Sequence, residues 1–147
     1  MLPVGVATAS GTLIGMAIGQ GDVPAIKYYY KVSLYIACTI ALLTVGVTWP
    51  LQNQIISAFT TVPGIVSQMK LAWPMLMLFT VFDTIQGVSQ ASVRSSGKQK
   101  LGAILISTGY FLIAIPITLL ICFKFDWGIS GIWFGTAIGV FCNTCGY

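Results

Sequence analysis

Residues 71–93, LAWPMLMLFTVFDTIQGVSQASV, carry a single charge, Asp83, in a run long enough to cross a bilayer. A helix rises about 1.5 Å per residue and the hydrocarbon core is about 30 Å thick, so roughly twenty apolar residues suffice. In that medium the backbone has no water to bond to, and a helix satisfies its own polar groups. Arg94, Lys98 and Lys100 follow at once and mark where the run returns to water.

Four further blocks read the same way: residues 1–19, 32–50, 101–123 and 129–147. The reading is an all-α, polytopic transmembrane helix bundle of five spans. Composition agrees. Apolar residues make up 56% and charged residues 7% of the 147, whereas a water-soluble domain carries about a quarter charged residues. The first block is rich in small residues, with Gly11, Gly15 and Gly19 four apart and Ala7 on the same row. The last repeats the pattern with Gly131, Gly135 and Gly139. Small residues at that spacing let helices approach closely in lipid.

Breaks fall between the blocks. Gly19-Gln20-Gly21-Asp22 ends the first helix, and Pro24 suits the first turn of the next. Lys27, the tyrosines 28–30 and Lys31 form an amphipathic lead-in at headgroup level. Residues 51–64 read as a loop without Lys or Arg. Pro116 lies inside the fourth span, so a kink is expected near 114–117.

The formal net charge is +4. On a soluble chain that balance would suggest nucleic acid, but here the basic residues sit in short loops. Lys27, Lys31, Arg94, Lys98 and Lys100 share one side, and Lys70 and Lys124 the other. The positive-inside rule puts the first side in the cytoplasm, so no nucleic-acid partner is expected. Met1 is not followed by a basic stretch and a cleavage pattern, so no secretory leader is expected. Plasma and vacuolar membranes are not distinguished.

Asp83 is the candidate functional residue. It lies about 18 Å along its helix from Leu71, near mid-depth. An ionisable group there is costly and rare, which favours a role in function over one in structure. Two roles are open, exchange of protons or direct binding of a cation, against a third in which neighbouring helices simply hold the carboxyl group by hydrogen bonds. Thr80, Gln86, Gly87 and Gln90 share its helical face, and Leu78, Val81, Phe82 and Ile85 lie opposite. That polar stripe should face protein or a water-filled cavity.

Enzyme chemistry finds no foothold. There is no His, no second carboxylate at a useful spacing, no nucleophile beside a base and no phosphate-binding glycine loop. Cys142 and Cys145 form a CxxC spacing, yet without a second pair or a histidine they read as helix contacts rather than a metal site. No metal and no cofactor are expected.

With these residues in view the chain resembles the MATE (multidrug and toxic compound extrusion) transporters over essentially its whole length. Pro3-Val4-Gly5 through Gly19-Gln20-Gly21-Asp22, with Ala25 and Lys27, looks like the eighth helix and its cytoplasmic loop. Asp83 through Gly87 and Arg94-Ser95-Ser96-Gly97-Lys98-Gln99-Lys100 resemble the tenth helix and the loop after it. Gly109-Tyr110, Ile115-Pro116 and Gly128 through Gly135 match the eleventh and twelfth. The resemblance implies a twelve-helix exporter of two six-helix lobes that exchanges small organic cations or drugs for protons or sodium. This chain would form part of the carboxyl-terminal lobe, with the amino-terminal lobe as its partner. It places Asp83 where an acidic residue is linked to coupling or cation recognition, and Tyr110 beside the same cavity. A basic residue common near Leu13 and a polar one near Met16 are missing here. One carboxylate without companion oxygens favours protons over sodium as the coupling ion. Two alternatives stand beside this reading: a non-transporting fragment or assembly subunit whose glycine rows dock on partner helices, and a lipid flippase of related fold.

Overall fold

The structure, a computed structural model, describes residues 2–147, with side chains from Pro3 onward. Every regular element among them is helical. In order these are α1 (Leu2–Gln20), α2 (Val23–Thr48), α3 (Gln52–Phe59), α4 (Pro63–Ser95) and α5 (Gln99–Ser107); a π-helical segment (Thr108–Ala114) follows, then α6 (Ile115–Lys124) and α7 (Gly128–Gly146). Four helical rods are long and apolar enough to cross a membrane: α2, α4, the continuous stretch Gln99–Lys124 and α7. The other expected span, residues 1–19, falls on α1, apart from Met1, which lies outside the described residues.

Caps and turns explain where the helices stop. Gly21 adopts φ +70°, a left-handed conformation that ends α1 at little steric cost. The next residue, Asp22, caps α2 by accepting a hydrogen bond from the Ala25 backbone N–H at 3.0 Å. α2 therefore starts nine residues before the expected span, and the tyrosine lead-in is continuous with it. The expected loop at 51–64 is a correction: it contains α3. Ile56 of α3 is buried with Trp73 and Met77 of α4, and this apolar contact holds the short helix in place.

α1 and α4 run parallel. A Cβ added at Gly11 would stand 3.5 Å from Ala91 Cβ, one at Gly15 3.6 Å from Ser95 Cβ, and one at Gly87 3.7 Å from Ala7 Cβ. Two rows of small residues thus face each other at ordinary van der Waals distance. Gly19, expected to continue the row, has nothing within 4 Å of such a Cβ, because it lies beyond the end of α4. That expectation is corrected. α2 returns antiparallel, and Tyr30 Oη lies 3.2 Å from Ser89 Oγ.

α7 packs on both neighbours. Toward α4, Phe79 meets Trp133 with ring centroids 5.4 Å apart, and Phe82 meets Phe141 at 5.2 Å. Toward α6 and the π-helical segment before it the glycine row permits closer approach: a Cβ at Gly135 would lie 2.7 Å from Thr118 Cα, and one at Gly139 2.5 Å from Ala114 Cβ. The opposite surfaces carry exposed bulk, such as Leu42 at 66% and Phe123 at 79%. Water would penalise that arrangement, whereas lipid solvates it.

The irregularity expected at Pro116 is present but displaced. Pro116 sits in the first turn of α6, and the departure from α geometry is the π-helical segment before it. Proline clashes with the carbonyl of the residue four earlier, and a widened turn accommodates that clash.

Candidate functional site

Asp83 opens into a cavity of about 300 Å³ formed where α1, α4 and the π-helical segment converge. α1 contributes Pro3, Val4, Ala7 and Thr8. From α4 come Asp83, Thr84, Gln86, Gly87, Gln90 and Arg94. Ile106 of α5 and Tyr110 of the π-helical segment close the third side. The small residues have a direct part in this shape, because the Ala7–Gly87 contact leaves room beside the α4 polar stripe.

Of the residues singled out from the sequence, Asp83, Gln86, Gln90 and Tyr110 meet in this one cavity. Thr80, expected to line the cavity with them, keeps its place on the Asp83 face of α4 but is not part of the lining. Its hydroxyl instead donates to the Leu76 carbonyl at 2.8 Å, one turn back on its own helix. Gln86 is 5% exposed and Asp83 is exposed, so the carboxylate points to the open part of the cavity.

Arg94 also lines the cavity and so is more than a loop charge. A signal was available: eleven residues are close to three turns, so Arg94 returns to the face of Asp83. The two charges stand about 16 Å apart along the helix, too far for direct pairing. The cavity thus has a carboxylate well inside α4 and a guanidinium at the end of that helix, where the basic loops lie.

A larger groove of about 870 Å³ runs along the π-helical segment, α6 and α7, and shares Ile106 and Tyr110 with the first. Phe111, Ile115, Leu119 and Ile132 dominate its lining, and no Asp, Glu, Lys or Arg takes part. It offers dispersion contacts and little chemistry. Among the described residues no group of three or more His, Cys, Asp or Glu is placed to hold a metal ion.

Fold and cavity define a class: a multi-pass helical membrane protein that keeps one carboxylate in a polar, partly enclosed cavity between helices. A family model described as MatE matches residues 1–120, and the chain belongs to that family. It is 34% identical over 139 residues to multidrug and toxin extrusion protein 1 of Danio rerio, covering 92% of this chain and 23% of that protein. Identity to multidrug and toxin extrusion protein 1 of Homo sapiens is 28% over 138 residues, covering 94% of this chain and 24% of that one. An uncharacterized transporter of Schizosaccharomyces pombe is 28% identical over 139 residues, covering 95% and 26%. The crystal structure of the eukaryotic MATE transporter AtDTX14 superposes with a TM-score of 0.89 at 22% identity, over 97% of this chain and 32% of that one. That last likeness speaks to the fold alone. The chain spans about a quarter of the length of these curated relatives.

Proposed function

We propose that this chain forms part of the carboxyl-terminal lobe of a secondary active exporter of small organic cations, with Asp83 as its coupling residue. The observation that carries the reading is the convergence of Asp83, Gln86, Gln90 and Tyr110 on one cavity. A carboxylate there attracts either a proton or a cationic substrate, and the two compete for the same charge. Occupancy by one releases the other, which is the minimum an antiporter requires. The neighbouring amides donate and accept hydrogen bonds without adding charge, so they suit substrates of varied shape. Names of the relatives, multidrug and toxin extrusion proteins, support export of drugs and toxins; the preference for cations rests on the Asp83 carboxylate.

Protons are the favoured coupling ion. A sodium ion takes several oxygen ligands, and among the described residues Asp83 brings the only carboxylate to the cavity.

The test uses a polypeptide that carries this chain together with an amino-terminal lobe, reconstituted in proteoliposomes. Asp83→Asn keeps the size and removes the exchangeable charge. Efflux of tetraethylammonium driven by an imposed pH gradient is expected to fall to background, and Asp83→Glu to retain part of it. Unchanged gradient-driven efflux in Asp83→Asn would remove Asp83 from the mechanism. If a sodium gradient replaces the pH gradient without loss, the preference for protons is wrong.

A further inference from the structure

The contact between α7 and the preceding rod has a register that ordinary helices do not produce. Small residues of α7 at 131, 135 and 139, and then Asn143, face the other helix at four-residue intervals. Their partners are Cys122, Thr118, Ala114 and Gly109. The first three of these are four apart, but Ala114 and Gly109 are five apart. The extra residue falls inside the π-helical segment, where the Ile115 backbone N–H donates to the Tyr110 carbonyl five residues back.

At regular α spacing, the position opposite Asn143 would be Tyr110. Its ring would then have to occupy the space that the Asn143 carboxamide fills. The inserted residue instead presents Gly109 there, and a Cβ at Gly109 would fall directly on the carboxamide. Only glycine fits. Tyr110 is thereby kept out of the space opposite Asn143 and stands between the Asp83 cavity and the apolar groove, lining both.

Asn143 is 3% exposed, and among the described residues its Nδ2 finds no hydrogen-bond partner. An amide buried without a partner is costly, and a methyl or leucine side chain would avoid that cost. What the carboxamide does make is close packing against Gly109.

We propose that Asn143, through its contact with Gly109, is a positioning residue that holds the inserted turn in place and so keeps Tyr110 aimed into the Asp83 cavity. This rests on the transport reading only for the meaning of the cavity; the coupling of Asn143 to Tyr110 is a structural statement that can be read separately.

Two measurements on the same lobe-complete polypeptide test it. In a variant with every native cysteine replaced, including the four of this chain, Tyr110→Cys is labelled with a water-soluble maleimide, with and without Asn143→Ala. Loss of the carboxamide is expected to change the labelling rate about tenfold, as for residues that share one contact network. An unchanged rate overturns the proposal. For transport, Asn143→Ala and Tyr110→Ala are each expected to raise KM for tetraethylammonium about tenfold with little change in kcat, and the double variant to be no worse than Tyr110→Ala alone. Multiplying effects in the double variant, or a fall in kcat with KM unchanged, would count against it. Should Asn143→Ala fail to accumulate in the membrane, Asn143→Ser keeps a polar group too short to reach Gly109 and carries the same expectations. A transport-competent Asp83→Asn beside altered labelling would sink the coupling role of Asp83 and leave the positioning role intact.

Discussion

Gly135 and Gly19 belong to similar four-residue rows, yet their surroundings differ completely. A Cβ at Gly135 would stand 2.7 Å from Thr118 Cα and 2.8 Å from its backbone nitrogen, and backbone cannot step aside. Gly135→Ala must push α7 off α6, an overpacking cost of about 1–3 kcal/mol. Gly19→Ala meets nothing and removes a poor helix former, so it should be neutral or stabilise by up to about 1 kcal/mol. Thermal unfolding in detergent, followed by thiol-reactive dye at the native cysteines, should show a lower midpoint for the first variant and an equal or higher one for the second. Equal losses at both positions would mean that the glycine rows act through propensity and not through contact.

At the scale of elements, the α1–α2 corner is held by a local device. Gly21 supplies the left-handed turn, Asp22 caps α2, and Pro24 sits in the first helical turn. Asp22→Ala removes the acceptor for the Ala25 N–H and should cost about 0.5–2 kcal/mol of helix stability. Amide hydrogen exchange should speed up in residues 23–27 and stay unchanged near Ala41. Uniform acceleration along α2 would show that the cap has no local effect. The π-helical segment is a second such device, with Pro116 behind it. There the sequence fixes that an irregularity must occur, and the neighbouring helix fixes its form.

For the molecule as a whole, the parallel α1–α4 pair and the antiparallel α2 bring the α1–α2 and α4–α5 turns to the same end. The basic residues at 27, 31, 94, 98 and 100 gather there. The positive-inside rule assigns that end to the cytoplasm. With the native cysteines replaced, a single cysteine at Gln99 should therefore react with an impermeant maleimide only after the cytoplasmic face is opened. One at Val62 should react in intact cells. The reverse pattern would invert the orientation, and with it the side on which Arg94 borders the cavity.

Much of this architecture was legible in the chain because hydrocarbon imposes simple demands. Uncharged run length predicts spans, and glycine-proline-aspartate punctuation predicts where helices end. A lone carboxylate at mid-depth marks a candidate site, and periodicity on α4 placed Gln86 and Gln90 beside it. Tyr110 came from family resemblance, not from periodicity. What the chain hid depends on contacts between segments far apart in sequence. Arg94 looked like a loop charge because its return to the Asp83 face spans three full turns. Asn143 drew no notice, although it is the only amide in α7 and continues the glycine row by one step. Thr80 shares the face of Asp83, yet along α4 the cavity begins only at Asp83, one turn further on. α3 was missed because a short helix is stabilised by burial of Ile56 against Trp73 and Met77, not by its own propensity. By itself, then, the sequence determined that this chain is a membrane helix bundle with one costly carboxylate. Only the tertiary structure decided which small residues touch, and that the register between α7 and its neighbour needs one inserted residue. The physical reason is that hydrophobicity is a property of each segment, whereas register and close approach belong to pairs of segments.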